Sequence, residues 1–433
     1  MLATRRAATG PDLNVAMQRD ARPWSSSLMI GIGFGVLAMI YSLYLAGYLY
    51  HTKAWTQPVD IWLAVDAGRY VWNGALGHVY EGTQAYALPL SFIVMAPISG
   101  LVDHFGLVEG SPFAVPHPSA WLLVGPYSLI FGIFLLNAVR RMAWDLGLRS
   151  RLWAVQLLAV VVVLVPCFEW GHFEDVIALT FVLHAARRMM AGDQIRAALL
   201  LSVAISSKQW ALPLIPFVVF SAPRGRRLKS LVAACALPGA LVLLVLGSDW
   251  SDASKALFSP ANLVGRTQGH AAFYESWLGS KTSQVSRTVG LLIASALAWR
   301  FRRARDTAGI LVSMAAVLGL RPLFEAISYS YYFSPGLLLA GCVGLAVTGK
   351  VSWRDWICPV AAILWATPRS NSSSSTWWWV GEAILLAITA WQVSSRCRAR
   401  PAQLRLDQEH PRGADTSKEM STARAAGETS WTQ

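Results

Sequence analysis

Ionisable side chains interrupt the apolar segments of this 433-residue chain at a few places, and each place could supply chemistry. The segment 169–175 (EWGHFED) holds four ionisable groups between two apolar runs. Such groups beside a membrane segment are costly and usually serve function. Alternatively, Glu174 and Asp175 only stabilise the next helix, because their negative charges interact favourably with its positive N-terminus. His172 as a metal ligand is the weaker hypothesis, since no further residues give metal-ligand spacing.

Asp60 stands at the start of a stretch with helical periodicity that extends to Asn73-Gly74. We interpret this stretch as a helix lying on the membrane. A carboxylate there could act as a general base, which accepts a proton during the reaction. The alternative is that Asp60 only caps the helix. Asp66, six residues on, lies off the helical face of Asp60 and is a candidate for shaping the site.

Two cations stand beside apolar runs in segments that we place outside the cytoplasm. Lys208 lies in Ser206-Ser207-Lys208, and Arg321 precedes an apolar stretch that ends at Glu325. Long cationic side chains often extend from an apolar surface to water without further function. Basic residues of membrane proteins are concentrated on the cytoplasmic side. Two cations on the opposite side suggest a bound anion instead, and a phosphate suits Lys and Arg.

The composition predicts an integral membrane protein. The chain is 55% hydrophobic and only 14% charged, whereas soluble proteins carry about 25% charged residues. A net charge of +13 would suggest nucleic acid as the partner of a soluble protein. Here membrane topology explains the charge better, because cytoplasmic loops collect Lys and Arg. We therefore expect a lipid bilayer and no nucleic acid among its partners.

Most of the 37 Lys and Arg residues fall into clusters that we assign to the cytoplasm. Between successive clusters the chain must cross out and back, which predicts about 12 transmembrane helices and cytoplasmic termini. The fold class is therefore an all-α polytopic bundle. The predicted spans are 28–50, 119–139, 152–168, 175–191, 195–207, 209–222, 229–247, 285–300, 307–320, 330–348, 356–367 and 376–394.

The predicted organisation has a cytoplasmic segment (1–27), a transmembrane domain (28–395) and a disordered cytoplasmic tail (396–433). Two loops, 51–118 and 248–286, are extracytoplasmic. The apolar stretch Ala85–Val102 within the first loop is interpreted as a re-entrant or interface-lying helix, because a full crossing would put the Arg140 cluster outside. Most of the eight histidines and many acids map to the outer side, which favours an extracytoplasmic site.

Five short segments stand in order between residues 28 and 350. They are Asp60 with Ala67, Gly74 and Val79-Tyr80; Tyr86-Ala87-Leu88-Pro89-Leu90; Gly171-His172-Phe173-Glu174-Asp175; Ser207-Lys208-Gln209-Trp210-Ala211-Leu212 before Pro213 and Pro216; and Arg321 to Glu325 with Tyr331-Tyr332 and Pro335. Together they resemble the GT-C superfamily of membrane glycosyltransferases, specifically bacterial family 87, which includes polyprenyl-phosphate-mannose-dependent α-mannosyltransferases. Phe173 departs from the proline of actinobacterial members, and one proline is missing after Tyr86.

The resemblance implies a GT-C-like bundle in the plasma membrane, with juxtamembrane helices in the first loop, that acts in the cell envelope. It implies transfer of a sugar, most readily mannose, from a polyprenyl-phosphate donor to a glycolipid, glycan or polymer acceptor by single-displacement inversion. Asp60 would be the general base, and Lys208, Arg321 and His172 would bind the donor phosphate. Residues expected to hold the acceptor or shape the site are Asp66, Glu174, Asp175, Glu325, Tyr331 and Tyr332.

Neither a cofactor nor a metal site is predicted, and metal dependence stays open. The chief alternative is a membrane transporter or flippase for a lipid-linked or anionic substrate. That class predicts charges at mid-helix and often an internal repeat, whereas the charges here cluster at outer helix ends. A structural membrane protein or another GT-C branch also remains open.

Overall fold

A computed structural model gives the structure of residues 57–81, 87–110, 115, 118–148, 151–258, 282–301, 307–320 and 330–347, with several helical positions between 29 and 40. This part of the chain is mostly helical and contains no strand, so the predicted all-α fold class is confirmed for it. The number of spans is not confirmed. Predictions for 1–27, most of 28–50, 82–86, 259–281, Arg321, Glu325, 356–367, 376–394 and 396–433 fall outside it.

Thirteen α-helices are described in these ranges. They are α1 (Val59–Trp72), α2 (Pro89–His104), α3 (Trp121–Asp145), α4 (Leu152–Ala159), α5 (Val165–Trp170), α6 (Phe173–Met190), α7 (Gln194–Ser207), α8 (Ile215–Ser221), α9 (Arg227–Ser248), α10 (Trp250–Phe258), α11 (Thr282–Phe301), α12 (Thr307–Leu320) and α13 (Ser334–Val347). A π-helical turn, Val160–Leu164, joins α4 to α5, and 3₁₀ turns occupy Leu76–His78, Gln209–Leu214, Arg224–Arg226 and Ser330–Phe333.

The helices agree closely with nine of the predicted apolar runs. The runs 195–207 and 307–320 become α7 and α12 almost residue for residue. The run 209–222 becomes a 3₁₀ turn followed by α8, because Pro213 and Pro216 remove two backbone donors near its start. An apolar run therefore located each of these nine segments, and proline changed the internal geometry of the run 209–222.

A large apolar core contains residues from every helix in the series α3 through α9, and from α11, α12 and α13. The pair α6 and α7 packs extensively, as do α1 and α2. A second, smaller core at one end of the bundle contains Ile61, Val65, Met95, Trp121 and Phe173. This core seats α1 and α2 against the first turns of α3 and α6, and so fixes α1 beside the segment 169–175.

The α1–α2 contact depends on a glycine. Ser99 donates to the backbone oxygen of Val65 over 2.8 Å, and a methyl group added at Gly68 would lie 2.4 Å from the Ser99 hydroxyl. Close packing of the two helices therefore requires a residue without a side chain, glycine, at position 68. It also brings Asp103 on α2 within ion-pair distance of Arg69 on α1.

Two helices among the described residues are long and apolar enough to cross a membrane, Trp121–Asp145 and Arg224–Ser248. Several other apolar helices are shorter, including α2, α7 and the helical part of 209–221. Length and composition alone do not separate a spanning helix from a core helix.

Candidate functional site

A glycine turn between α5 and α6 presents His172. Gly171 ends α5 with φ +86°, and the amides of Gly171 and His172 both donate to the carbonyl of Cys167. A residue other than glycine pays about 1–2 kcal/mol for this left-handed conformation. His172 then precedes α6 as its N-cap residue, with 8% of its surface exposed.

Asp60 and His172, far apart in sequence, face each other at the first turn of α1. His172 Nε2 lies 2.8 Å from Asp60 Oδ2. The N-cap of α1 is Pro58, and no side chain caps this end, so the capping role considered for Asp60 is wrong. The Asp60 side chain is 38% exposed, against 10% for His172. Asp60 is therefore the member of the pair that a ligand can touch.

Glu174 connects His172 to Lys208. Its Oε1 lies 2.9 Å from His172 Nδ1 and accepts from Lys208 Nζ over 2.6 Å. The helix α6 has no side-chain cap, so Glu174 directs its hydrogen bonds to these cations rather than to the helix end. Buried charge-assisted hydrogen bonds of this kind are stronger and more directional than neutral ones.

Asp175 stands on the other side of Lys208. Its Oδ1 accepts from the indole Nε1 of Trp210, and its Oδ2 lies 3.4 Å from Lys208 Nζ. Within the described residues Oδ2 has no hydrogen bond, although it is buried. The lysine is close enough to neutralise it as an ion pair without hydrogen-bond geometry. Asp175 and Trp210 thus complete a continuous polar chain that begins at Asp60.

The break between α7 and the following 3₁₀ turn positions Lys208. Lys208 has an extended backbone, φ −149° and ψ 125°, that stops α7. The buried hydroxyl of Ser91 on α2 donates to the carbonyl of Ser207 over 2.9 Å. The lysine is therefore held by both α7 and α2, and its side chain is only 16% exposed.

The surroundings of both cations favour their charged forms. Burial acts to lower the pKa of His172, but the carboxylates of Asp60 and Glu174 outweigh it and raise the pKa to about 9. Burial also opposes the charge of Lys208, yet Asp175 and Glu174 raise its pKa above the ordinary value. At neutral pH the site therefore contains an imidazolium and an ammonium.

Three ligand atoms of the site could in principle hold a metal ion. One atom each from His172, Glu174 and Asp175 lie within 4.8 Å of one another. The ammonium of Lys208 already contacts Glu174 at 2.6 Å and Asp175 at 3.4 Å. A metal ion would have to displace this cation, so the donor set fits a lysine better than a metal.

The other predicted site residues have different outcomes. Asp66 does not join the cluster: it lies 3.5 Å from Arg69, which also binds Asp103 and Glu109. Tyr331 and Tyr332 belong to the 3₁₀ turn Ser330–Phe333, and Tyr332 is near enough to act electrostatically on Lys208. Arg321 and Glu325 lie outside the described residues.

Sequence reasoning did not identify Trp210 and Arg69 as parts of polar clusters, or Gly171 as the turn that approaches Ile61. Trp210 stands two residues after Lys208, and its indole N–H is a donor that needs a partner when buried. Its place in the segment Ser207–Leu212 was the available signal. The position of Arg69, three residues after Asp66 on the predicted helix, was the signal for the second cluster.

We expect Gly171→Ala to destabilise the protein more than a glycine replacement at a turn without close neighbours. The new methyl group would lie 2.7 Å from the backbone nitrogen of Ile61, so α1 would have to move away from His172. Gly192→Ala is the matched control, because Gly192 has φ +78° and no atom within 4 Å of the added methyl group. Thermal unfolding of both variants measures the difference; equal losses of stability would mean that the contact with α1 is unimportant.

The raised pKa of His172 gives a second expected result. A folded-state pKa of about 9, above the ordinary 6.5, contributes stability that is complete below pH 6.5 and is lost as pH rises through about 9. The groups facing the ring are Asp60, Glu174, Asp175 and Lys208. The stability advantage of the native protein over His172→Gln should narrow as pH rises through 9. A constant difference from pH 7 to 10 would contradict the charged state assigned to His172.

Comparisons of the chain with family profiles, curated proteins and solved structures found no match.

Proposed function

We propose that the protein is a membrane glycosyltransferase that moves a sugar, most readily mannose, from a polyprenyl-phosphate donor to an acceptor hydroxyl outside the cytoplasm. The observation that carries the proposal is the convergence on one accessible carboxylate. Asp60, His172, Glu174, Asp175 and Lys208 come from three separate segments and form one ion-pair chain in which Asp60 is the exposed member. The same segments carry the family resemblance.

The reaction needs one base and no general acid. Asp60 Oδ2 is bound to His172, which leaves Oδ1 to receive the proton of the acceptor hydroxyl. The acceptor oxygen forms a bond to the anomeric carbon while the bond from that carbon to the donor phosphate oxygen breaks. Polyprenyl phosphate leaves with the bonding electrons. This single displacement inverts the anomeric centre, and a positioned base contributes roughly 10²–10⁴-fold.

Exposed leucines support a location in the bilayer. Only 22% of the most apolar stretch of Arg224–Ser248 is buried within the protein. Leu228 and Leu243 are 71% and 72% exposed, and Val232 and Leu244 are also exposed. Contiguous apolar surface of this kind is rare on soluble monomers and common where a helix faces lipid.

The two ends of α6 support the proposed topology. Its N-terminus lies at the Asp60 site, while Arg187 near its C-terminus binds Asp145 at the end of α3. Eighteen residues of helix span about 27 Å, close to the thickness of a hydrocarbon core of about 30 Å. The site and the basic cluster 187–188 would then lie at opposite surfaces.

We expect reporter fusions to give this topology directly. Fusions after Arg141 and Arg226 should report cytoplasm, and a fusion near His78 should report the outer side, because basic clusters remain inside. The test uses paired reporters active in only one compartment each. An inverted result after Arg141 would mean that the stretch Ala85–Val102 crosses the membrane, and the side of the site would have to be reassigned.

The donor assay tests the proposed function. Purified protein in lipid nanodiscs is offered a polyprenyl-phosphate mannose, other polyprenyl-phosphate sugars and nucleotide sugars separately, each with a panel of glycolipid and glycan acceptors. Transfer from a lipid donor, absent with Asp60→Asn, supports the proposal. Transfer from a nucleotide sugar without a lipid intermediate contradicts it, and net movement of a lipid-linked substrate across the bilayer without transfer would favour a flippase.

A further inference from the structure

Both cations at the site are already bound to carboxylates. The two ring nitrogens of His172 lie 2.8 Å from Asp60 and 2.9 Å from Glu174. A ring whose nitrogens both face carboxylates is held as a double donor. Lys208 lies 2.6 Å from Glu174 and 3.4 Å from Asp175.

The charge balance is unfavourable for an anion. Asp60, Glu174 and Asp175 supply three negative charges, and His172 and Lys208 supply two positive charges. The cluster therefore has one net negative charge when all five groups are ionised. A donor phosphate placed against it would be repelled overall, and interactions between buried charges are weakly screened.

Access to the cluster is equally selective. The side chains of Glu174 and Asp175 are 7% and 8% exposed, and Lys208 is 16% exposed, whereas Asp60 is 38% exposed. Asp60 is therefore the member of the cluster most open to a ligand, while the two buried carboxylates and the lysine are less accessible. Removing one partner of a buried ion pair leaves an uncompensated charge, which is strongly unfavourable.

We propose that His172 and Lys208 are positioning residues for Asp60 and do not bind the donor phosphate, contrary to the role predicted for them from the sequence. This inference rests on the proposed function. It gives the ion-pair series Asp60–His172–Glu174–Lys208–Asp175 one role, which is to hold the base in place. Lys208 fixes Glu174, Glu174 fixes the ring of His172, and the ring fixes Asp60 Oδ2. The phosphate is then bound elsewhere, by a cation outside the cluster.

Glu174→Gln separates the two roles, because it keeps the shape of the side chain and removes one charge. If His172 and Lys208 position Asp60, this change lowers kcat at least tenfold and leaves the Kd for polyprenyl phosphate within about twofold of the native value. If they bind phosphate, the change removes a competing carboxylate from both cations and lowers that Kd. Tightening of fivefold or more would overturn the proposal.

Lys208→Met gives the complementary comparison, with Lys255→Met as the matched control. Lys255 is another outer lysine paired with an acid, Asp252, at 3.0 Å. Lys208→Met should lower kcat without raising the donor KM, Lys208→Arg should restore part of the loss, and Lys255→Met should change neither. A tenfold rise in donor KM with unchanged kcat in Lys208→Met would overturn the proposal. If Lys208→Met does not fold, Glu174→Gln decides.

Nitrogen-15 NMR of the histidine ring tests the geometry without any turnover. The signals of His172, assigned by their loss in His172→Gln, should show protons on both ring nitrogens at pH 7.5. A neutral ring at this pH would overturn the proposal whatever the enzyme transfers. Conversely, a doubly protonated ring in a protein that transfers no lipid-linked sugar would leave the positioning chain intact and remove the proposed function.

Discussion

Asp60→Asn should lower the rate of sugar transfer by about 10²–10⁴-fold, the contribution typical of a positioned general base. The amide keeps the size of the side chain but cannot accept the acceptor's proton. Asp60 is partly exposed, whereas the residues that continue the ion-pair series from it are largely buried. Folding and donor binding should therefore be preserved. Turnover is measured with the polyprenyl-phosphate donor, and donor binding is measured separately with polyprenyl phosphate.

Asp66→Asn is the comparison on the same helix. Asp66 contacts Arg69 rather than His172, so its substitution should be milder than that of Asp60. Near-normal activity of Asp60→Asn, in protein that is folded and pure, would rule out Asp60 as the base. A larger loss with Asp66→Asn would move the site toward the Arg69 cluster.

Arg321→Ala should weaken donor use by roughly 10²–10³-fold, the loss expected when one group that stabilises a developing oxyanion is removed. Under the proposal that His172 and Lys208 position Asp60, the departing phosphate depends on another cation, and Arg321 is the remaining residue that the sequence analysis assigned to it. Arg321→Lys should restore only part of the activity, because a point charge replaces a bidentate fork. The measurement is kcat/KM for the donor, together with its Kd.

A control distinguishes the phosphate contact from a general effect of charge. Lys255→Ala also removes a cation that we predict to lie outside the cytoplasm, but Lys255 is paired with Asp252 on α10 and its loss should leave donor use unchanged. Equal losses in the two variants would indicate a nonspecific electrostatic effect. An unchanged donor Kd in Arg321→Ala would exclude Arg321 as the phosphate ligand.

Much of the helical architecture could be predicted from the sequence, since long apolar runs have few ways to satisfy their backbone groups. The runs that became α7 and α12 illustrate this. The segment 169–175 was also identified as a candidate site, because its ionisable groups interrupt apolar runs. The sequence therefore located most of the described helices to within a few residues and marked this segment as a candidate site.

Pairing between distant residues could not be predicted in the same way. The positive charge of Lys208 suggested a bound anion. The sequence contains no information on the distances from Lys208 to Glu174 and Asp175, and those distances show which anionic groups the lysine contacts. Similarly, a helix-start position made Asp60 a plausible cap, whereas its contact with His172 depends on the close approach of Gly171 to Ile61. Tertiary packing thus overrode the capping interpretation of Asp60, and it gives Lys208 two carboxylate partners that its place in the sequence does not reveal.

A density map with a nonreactive polyprenyl-phosphate sugar bound tests the central claim most directly. We expect the anomeric carbon to lie beside Asp60 Oδ1, with space for an acceptor hydroxyl between them, and the phosphate to contact Arg321 while Lys208 stays paired with Glu174 and Asp175. A sugar bound away from Asp60, or a phosphate seated on Lys208 and His172 with their carboxylate pairs broken, would contradict the account.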